Sequence, residues 1–412
     1  MSKFRFLCFL CLLGNSVFFL SAQIVDYNTP ALLVPYTVTA PEIVSRSAAL
    51  IDAETGTALY VKNPDDIISP ASLTKLMTMH LVMQEVAAGR ASLDEIVPIG
   101  RESWAQSQPP RSSLMFLAPG QFVSLREIML GMAVSSGNDA AVAAALRLAP
   151  TVGDFAAAMT LEARRMGLSK TRFVEPSGIS EENMTTAAEF TAFCLEYLRL
   201  HPESLAEYHS VPEFAYPKAV NMAEAFRDNP RTIVQPNRNA LLKTFSGVDG
   251  LKTGYIDEAG YNIALTAERE GTRFIAVILG APARPGGDRI RDEDGARLLS
   301  WAFSTFKTVR PAIGYIEPAR LWKGKADYAE LKPAWTTNFT APADRAHSLR
   351  LSTEIADPLI APLPADYPVG HLVISDRRGE LCRVPLLTAG ACEKGNVFKR
   401  LWHSIWLLFR KP

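Results

Sequence analysis

Runs that read as strands lie near both ends of the first three quarters of this chain, with helix between them. That split constrains the fold more than any other feature. Ala48–Ile51 and Ala58–Val61 are short apolar runs joined by the turn sequence Asp52-Ala-Glu-Thr-Gly56. Val248–Tyr255, Tyr261–Glu268 and Thr272–Gly280 follow much later, and Glu270-Gly271 marks a tight hairpin between the last two. A helix is expected from Pro70 to about Val86, with proline at an early helical position as its start signal. From Leu125 to Leu198 the pattern is mostly helical, with alanine-rich segments such as Ala140–Leu148 and Phe155–Met166. A helix from about Asp292 to Phe306 closes the region. The pattern predicts one α+β domain over 44–308, an antiparallel sheet with a helical subdomain, the sheet completed by N- and C-terminal segments.

Three short motifs fall on these elements: Ser72-Leu-Thr-Lys75, Ser136-Gly-Asn138 and Lys252-Thr-Gly254. Ser72 and Lys75 share one helix face at a spacing of three, so an uncharged amine can take the hydroxyl proton. An ammonium is no base, so the Lys75 pKa must fall through burial, the helix dipole or a nearby positive charge, for which Lys252 is the candidate. Ser136 and Asn138 lie in a turn between helical stretches, where a hydroxyl passes a proton and an amide orients a substrate amide. Gly254 within a strand marks backbone that a ligand approaches closely, and Lys252 and Thr253 beside it suit a carboxylate. Taken singly, each motif has an ordinary structural interpretation: a surface Ser and Lys, a helix cap, a strand end. Their order and placement together point to acyl transfer by serine and lysine, which needs neither metal nor cofactor. The six histidines lie outside all three motifs, and no G-x-S-x-G nucleophile elbow is present.

The termini suggest a compartment. Met1-Ser-Lys3-Phe-Arg5, an apolar run from Phe6 to Leu20 and the small residues Ser21-Ala22 predict an export leader over 1–22, with an uncleaved anchor as the alternative. A Pro-spaced linker over 23–43 follows. After Thr308 prolines recur among short β-like runs, which predicts a small all-β domain over 309–395. In the tail, 396–412, Val397, Phe398, Leu401, Trp402, Ile405, Trp406, Leu408 and Phe409 share one helical face. Lys399, Arg400, His403, Arg410 and Lys411 share the other. A helix of about 22 Å is too short to span a hydrocarbon core of about 30 Å. It is expected to lie in an anionic membrane interface, the alternative being an apolar face docked on the chain's own β domain. With the leader removed, Cys194, Cys382 and Cys392 remain, and a Cys382–Cys392 pair stays open. Forty-three basic and 43 acidic side chains leave no global field for nucleic acid.

The longer strings are more specific. Ser69-Pro-Ala-Ser-Leu-Thr-Lys-Leu-Met-Thr78, Ser136-Gly-Asn-Asp-Ala140, Gln235-Pro-Asn-Arg-Asn239, Val248-Asp-Gly-Leu-Lys-Thr-Gly254 and Ala259-Gly-Tyr-Asn262 resemble the low-molecular-mass penicillin-binding proteins, the D-alanyl-D-alanine carboxypeptidases of bacterial cell-wall metabolism. The resemblance implies a penicillin-binding, β-lactamase-like transpeptidase fold, followed by a β domain and a membrane-binding helix. It also implies an enzyme on the periplasmic face of the inner membrane that trims D-alanine from peptidoglycan stem peptides and is acylated by β-lactams. In that scheme Ser72 attacks with help from neutral Lys75, Ser136 relays a proton to the leaving amine, and Asn138 positions the substrate amide. Lys252 and Thr253 hold the terminal carboxylate, and the backbone N–H groups of Ser72 and Tyr255 form the oxyanion hole. Arg238 and Arg291 match positions near the carboxylate site by local string, with surface or structural ion pairs as the alternative. Tyr255 stands where related enzymes often carry a small polar residue or histidine.

Three rivals use the same motifs. A β-lactamase needs a deacylating glutamate in an E-x-x-L-N-like loop; Glu175 is the nearest candidate, but proline follows it and the Leu-Asn is missing. A DD-endopeptidase differs little in sequence, and a non-catalytic scaffold would not be expected to keep all three motifs intact.

Overall fold

The computed structural model describes residues 38–335 and 337–409; the expected leader, most of the linker, and Arg410 and Lys411 of the tail lie outside them. The hairpin of β1 (Ser47–Asp52) and β2 (Ala58–Lys62) joins β3 (Val248–Ile256), β4 (Gly260–Arg269) and β5 (Thr272–Ala281) in one antiparallel sheet of order β2-β1-β5-β4-β3. The long-range join sets Ser47 against Leu279 and Asp52 against Phe274. Strand alternation then sorts the side chains of β5. Phe274, Ala276 and Ile278 face a core shared with Leu298, Leu299 and Ala302, whereas Ile275, Val277 and Leu279 face the helical subdomain. Both faces are covered, which is why β5 reads as a continuous apolar run. The hairpin at Glu270-Gly271 takes positive φ at both residues, +49° and +74°, the turn whose twist matches paired strands.

The helical subdomain contains α1 (Thr74–Ala87), α2 (Asn138–Leu148), α3 (Val152–Arg165) and α4 (Ala187–Leu200). Thr151 and Thr186 cap α3 and α4 by accepting from the backbone N–H of Asp154 and Glu189. Nine residues of α1 are buried, Lys75 and His80 among them, so this helix passes through the subdomain with polar groups inside. The helix expected from Asp292, here α5, begins earlier and spans Gly287–Thr305. Glycine is a poor helix former, yet Gly287 stands at the start because there is no room for a side chain: a Cβ would lie 1.9 Å from the Pro282 carbonyl and 2.7 Å from the Tyr261 ring.

A separate core begins at Val309. Phe306–Val309 pairs with Phe339–Pro342, and Leu331–Pro333, Gly379–Thr388, Pro368–Asp376 and Arg350–Ile355 form a four-stranded antiparallel sheet. The joint to the first domain is polar: the buried Asp52 carboxylate accepts from Thr308 Oγ1 at 2.8 Å and Thr340 Oγ1 at 2.9 Å. Cys382 and Cys392, whose pairing the sequence left open, are not bridged. Cys382 sits in the ladder opposite Ile374, and Cys392 pairs through its backbone with Leu363.

The tail forms α6 (Val397–Phe409). It touches the β domain with its polar side. The backbone N–H of Lys323 donates to buried His403 Nδ1 at 2.8 Å, the His403 ring packs edge-on to Trp322, and Lys399 pairs with Asp327 at 2.9 Å. The alternative of a docked apolar face is therefore reversed, and Phe398 and Leu408 stand 85% and 82% exposed. Among the described residues no single helix is long and apolar enough to cross a membrane.

Candidate active site

The three motifs meet where α1 begins. Ser72 lies in a tight turn, Ala71–Leu73, that precedes Thr74, so the expected helix from Pro70 is interrupted at its start. Ala71 there has a φ of +49°, an uncommon backbone state for a residue with a side chain. Two glycines make room for this turn. A Cβ on Gly254 of β3 would sit 2.8 Å from the Pro70 carbonyl oxygen and 3.0 Å from Ser72 N; one on Gly178 would overlap the Ala71 carbonyl. Asn262 on β4 ties the same segment to the sheet, donating to the Ser69 carbonyl at 2.9 Å and accepting from Gly280 N at 2.8 Å.

Lys75 is fully buried. Its Nζ lies 3.1 Å from Ser72 Oγ, 2.7 Å from Asn138 Oδ1 and 2.5 Å from the Ser177 carbonyl oxygen. Burial drives its pKa down to about 7, against the pull of Glu175 and Asp139, and Arg238 adds to the fall. Lys252 is the positive neighbour expected from sequence: the repulsion between the two amines is felt at Lys252, whose pKa Lys75 lowers, and Arg238 bears on both. An uncharged amine has two N–H bonds and one lone pair. Two carbonyl oxygens accept the N–H bonds, and the lone pair is left for the Ser72 hydroxyl.

Ser136 is buried and takes a left-handed conformation, φ +60°, after a wide turn over Gly131–Ser135. Asn138 opens α2 with its amide held from both ends, since Nδ2 donates to Ser112 Oγ at 3.2 Å. Asp139 beside it went unnoticed in the sequence. Its buried carboxylate accepts the backbone N–H groups of Met115, Phe116 and Leu117 at 2.8, 2.8 and 3.0 Å, folding that loop onto the start of α2.

Lys252 and Thr253 on β3 are both nearly inaccessible; the Lys252 Nζ donates to the Thr253 carbonyl at 2.9 Å. Burial first, and then Lys75, Arg238 and Arg291, hold the Lys252 pKa well below its ordinary value. Arg238 donates to the Ser135 carbonyl at 3.3 Å, and Arg291 to Asp292 at 2.8 Å and 2.9 Å. Both thus have a structural partner and also bear on Lys252 through charge. The Tyr255 side chain turns outward, its hydroxyl donating to Asp257 at 2.5 Å and its ring against Tyr261 with centroids 4.2 Å apart. Among the described residues no group of three or more His, Cys, Asp or Glu is placed to hold a metal ion.

A nucleophile, a base of near-neutral pKa, an amide that holds it and a second buried hydroxyl two residues from that amide can run acyl transfer. Residues 35–283 match the family model described as D-alanyl-D-alanine carboxypeptidase. The D-alanyl-D-alanine carboxypeptidase DacC of Escherichia coli is 32% identical over 95% of this chain and 95% of its own. Penicillin-binding protein 5 from Haemophilus influenzae superposes with a TM-score of 0.74 at 29% identity, over 87% of this chain and all of that one. Penicillin-binding protein D2 from Listeria monocytogenes, in its ampicillin-bound form, superposes with a TM-score of 0.53 at 31% identity, over 63% of this chain and 98% of that one.

Proposed function

The chain belongs to the D-alanyl-D-alanine carboxypeptidase family of serine peptidases and is an enzyme of that activity, and from that premise we propose how its residues divide the work. Neutral Lys75 takes the proton of Ser72 as Oγ attacks the carbonyl carbon between the last two D-alanines of a peptidoglycan stem peptide. The oxygen of that carbonyl gains negative charge beside the N–H groups of Ser72 and Tyr255, a contact worth about 3 kcal/mol in the transition state. Ser136 relays the proton taken from Ser72: its hydroxyl gives one proton to the departing amine and receives another from the Lys75 ammonium. D-alanine leaves, and water hydrolyses the ester, returning the Ser72 hydroxyl and the free acid. Asn138 orients the substrate amide. Lys252 and Thr253 hold the terminal carboxylate, and Arg238 and Arg291 add to the positive field.

A β-lactam acylates the same Ser72, but its leaving nitrogen stays tethered to the opened ring and cannot depart as D-alanine does. The observation that carries this scheme is the Lys75 amine, held by Asn138 and Ser177 with Ser72 Oγ 3.1 Å away. Its test uses protein lacking the leader and tail, incubated with a pentapeptide ending in D-Ala-D-Ala, with released D-alanine measured. Release that Ser72→Ala abolishes is expected; undiminished release by that variant would sink the assignment of the nucleophile.

The same proposal extends to place. The basic and apolar residues of 1–22 favour export, and α6 presents an apolar face flanked by Lys399 and Arg400. The enzyme then works at the periplasmic face of the inner membrane, attached peripherally through α6.

A further inference from the structure

We propose that Glu175 is a positioning residue for acylation: its carboxylate shapes the Pro176–Gly178 turn so that the Ser177 carbonyl takes one Lys75 N–H and leaves the amine lone pair facing Ser72. The proposal rests on Ser72 and Lys75 being nucleophile and base.

Asn138 Oδ1 and the Ser177 carbonyl are the two acceptors that orient the Lys75 amine, and they are held by different means. Asn138 is fixed by Ser112. The Ser177 carbonyl depends on the shape of its turn, and Glu175 gathers that turn. One carboxylate oxygen accepts from Ser177 N at 2.7 Å and Ser177 Oγ at 2.6 Å; the other accepts from Gly178 N at 2.6 Å and Asn183 Nδ2 at 2.7 Å. Asn183 also donates to Thr74 Oγ1 at 3.2 Å, and Thr78 Oγ1 donates to the Pro176 carbonyl at 2.7 Å. Successive carbonyls, those of Pro176 and Ser177, are thereby turned onto α1. Gly178, at φ +84°, backs against Ala71 and Ser72, so the turn supports nucleophile and base at once.

The charge of Glu175 opposes the chemistry, because it raises the proton affinity of a lysine that must be neutral. A carboxylate kept there despite that effect has another task. Both of its oxygens meet only donors, so an amide at this position would direct its NH2 at other N–H or O–H groups. Its four close donors also occupy the lone-pair directions that a water-activating base needs free, which separates Glu175 from a deacylating glutamate.

The test is the second-order rate of acylation by a fluorescent penicillin across pH, on the full enzyme and its variants, with melting curves. Glu175→Gln is expected to acylate about 10²-fold more slowly at pH 8, the cost of misplacing a reacting group. Its acidic limb is expected to move to lower pH, because a charge that holds the Lys75 proton is gone; a loss of stability alone would not move the limb. Ser177→Ala keeps the carbonyl, removes one of the four donors and is expected to slow acylation a few-fold, which decides the matter if Glu175→Gln does not fold. Acylation at the wild-type rate by either variant would overturn the proposal, as would normal acylation by Glu175→Gln followed by a trapped acyl-enzyme. Covalent labelling of Ser72→Ala would instead overturn the underlying nucleophile.

Discussion

Burial holds the Lys75 amine at a pKa of about 7 although Glu175 and Asp139 pull it upward, and acylation is expected to follow that titration. Below pH 7 the neutral fraction falls tenfold per unit, so the acylation rate by a fluorescent penicillin falls with it; above pH 7 it levels off. A rate unchanged from pH 5 to pH 9 would remove Lys75 as the base. Gly254 is the sharper steric case. In Gly254→Ala the new Cβ presses on the Pro70 carbonyl and Ser72 N, both backbone and unable to yield cheaply. Acylation is expected to drop about 10²-fold, and the overpacking of about 1–3 kcal/mol is expected to lower the melting temperature as well. Gly178→Ala combines a left-handed φ with a direct overlap on Ala71, and destabilisation by about 3 kcal/mol or more is expected in denaturant unfolding.

At the scale of elements, motif residues were easier to read than the groups that hold them. Ser72, Lys75, Ser136, Asn138, Lys252 and Thr253 carry their chemistry in residue type and spacing, and the strands were legible because alternation and turn residues are local signals. Asp139 and Asn262 were not legible, although both stood in noted strings. Asn262 acts on Ser69, 193 residues away, and no local pattern encodes such a partner. The break at Ala71 was missed for the same reason, since Gly178 and Gly254 from distant segments dictate it. The buried histidines, set aside because they miss the motifs, turn out to knit α1 to α4. His80 on α1 meets His201 at 2.9 Å and Glu162 at 3.0 Å, while His209 meets Tyr197 of α4 at 2.8 Å. Burial lowers the His80 pKa and takes His201 to about 4 and His209 to about 3. An unfolded histidine binds its proton near pH 6.5, so stability is present above that value and lost as pH falls from 6.5 toward 4. Asp52 and Asp139, whose pKa values burial raises, work in the opposite sense. The melting temperature is therefore expected to fall by several degrees between pH 6.5 and pH 5, and His201→Gln is expected to flatten that dependence. An unchanged slope would mean that other groups set it.

For the whole molecule the decisive asymmetry is in α6. Its polar side is occupied by the β domain through His403 and Lys399, which leaves Phe398, Leu401, Trp402, Leu408 and Phe409 facing outward. An apolar stripe so placed has no partner within the described chain, and neighbouring basic side chains favour an anionic surface over a neutral one. Binding to vesicles containing phosphatidylglycerol is thus expected to weaken with salt and to be much weaker on phosphatidylcholine alone. Trp402→Glu combined with Leu408→Glu alters only exposed positions, so acylation by penicillin is expected to stay at the wild-type rate while co-sedimentation with vesicles falls at least about tenfold. His403→Ala removes the buried acceptor of the Lys323 N–H and is expected to free the helix from the β domain, seen as faster proteolysis before Val397, with co-sedimentation with vesicles at the wild-type level. The two variants separate docking from anchoring. If the double glutamate variant still sediments with vesicles as the wild type does, the exposed stripe is not the membrane contact, and attachment must come from another part of the chain.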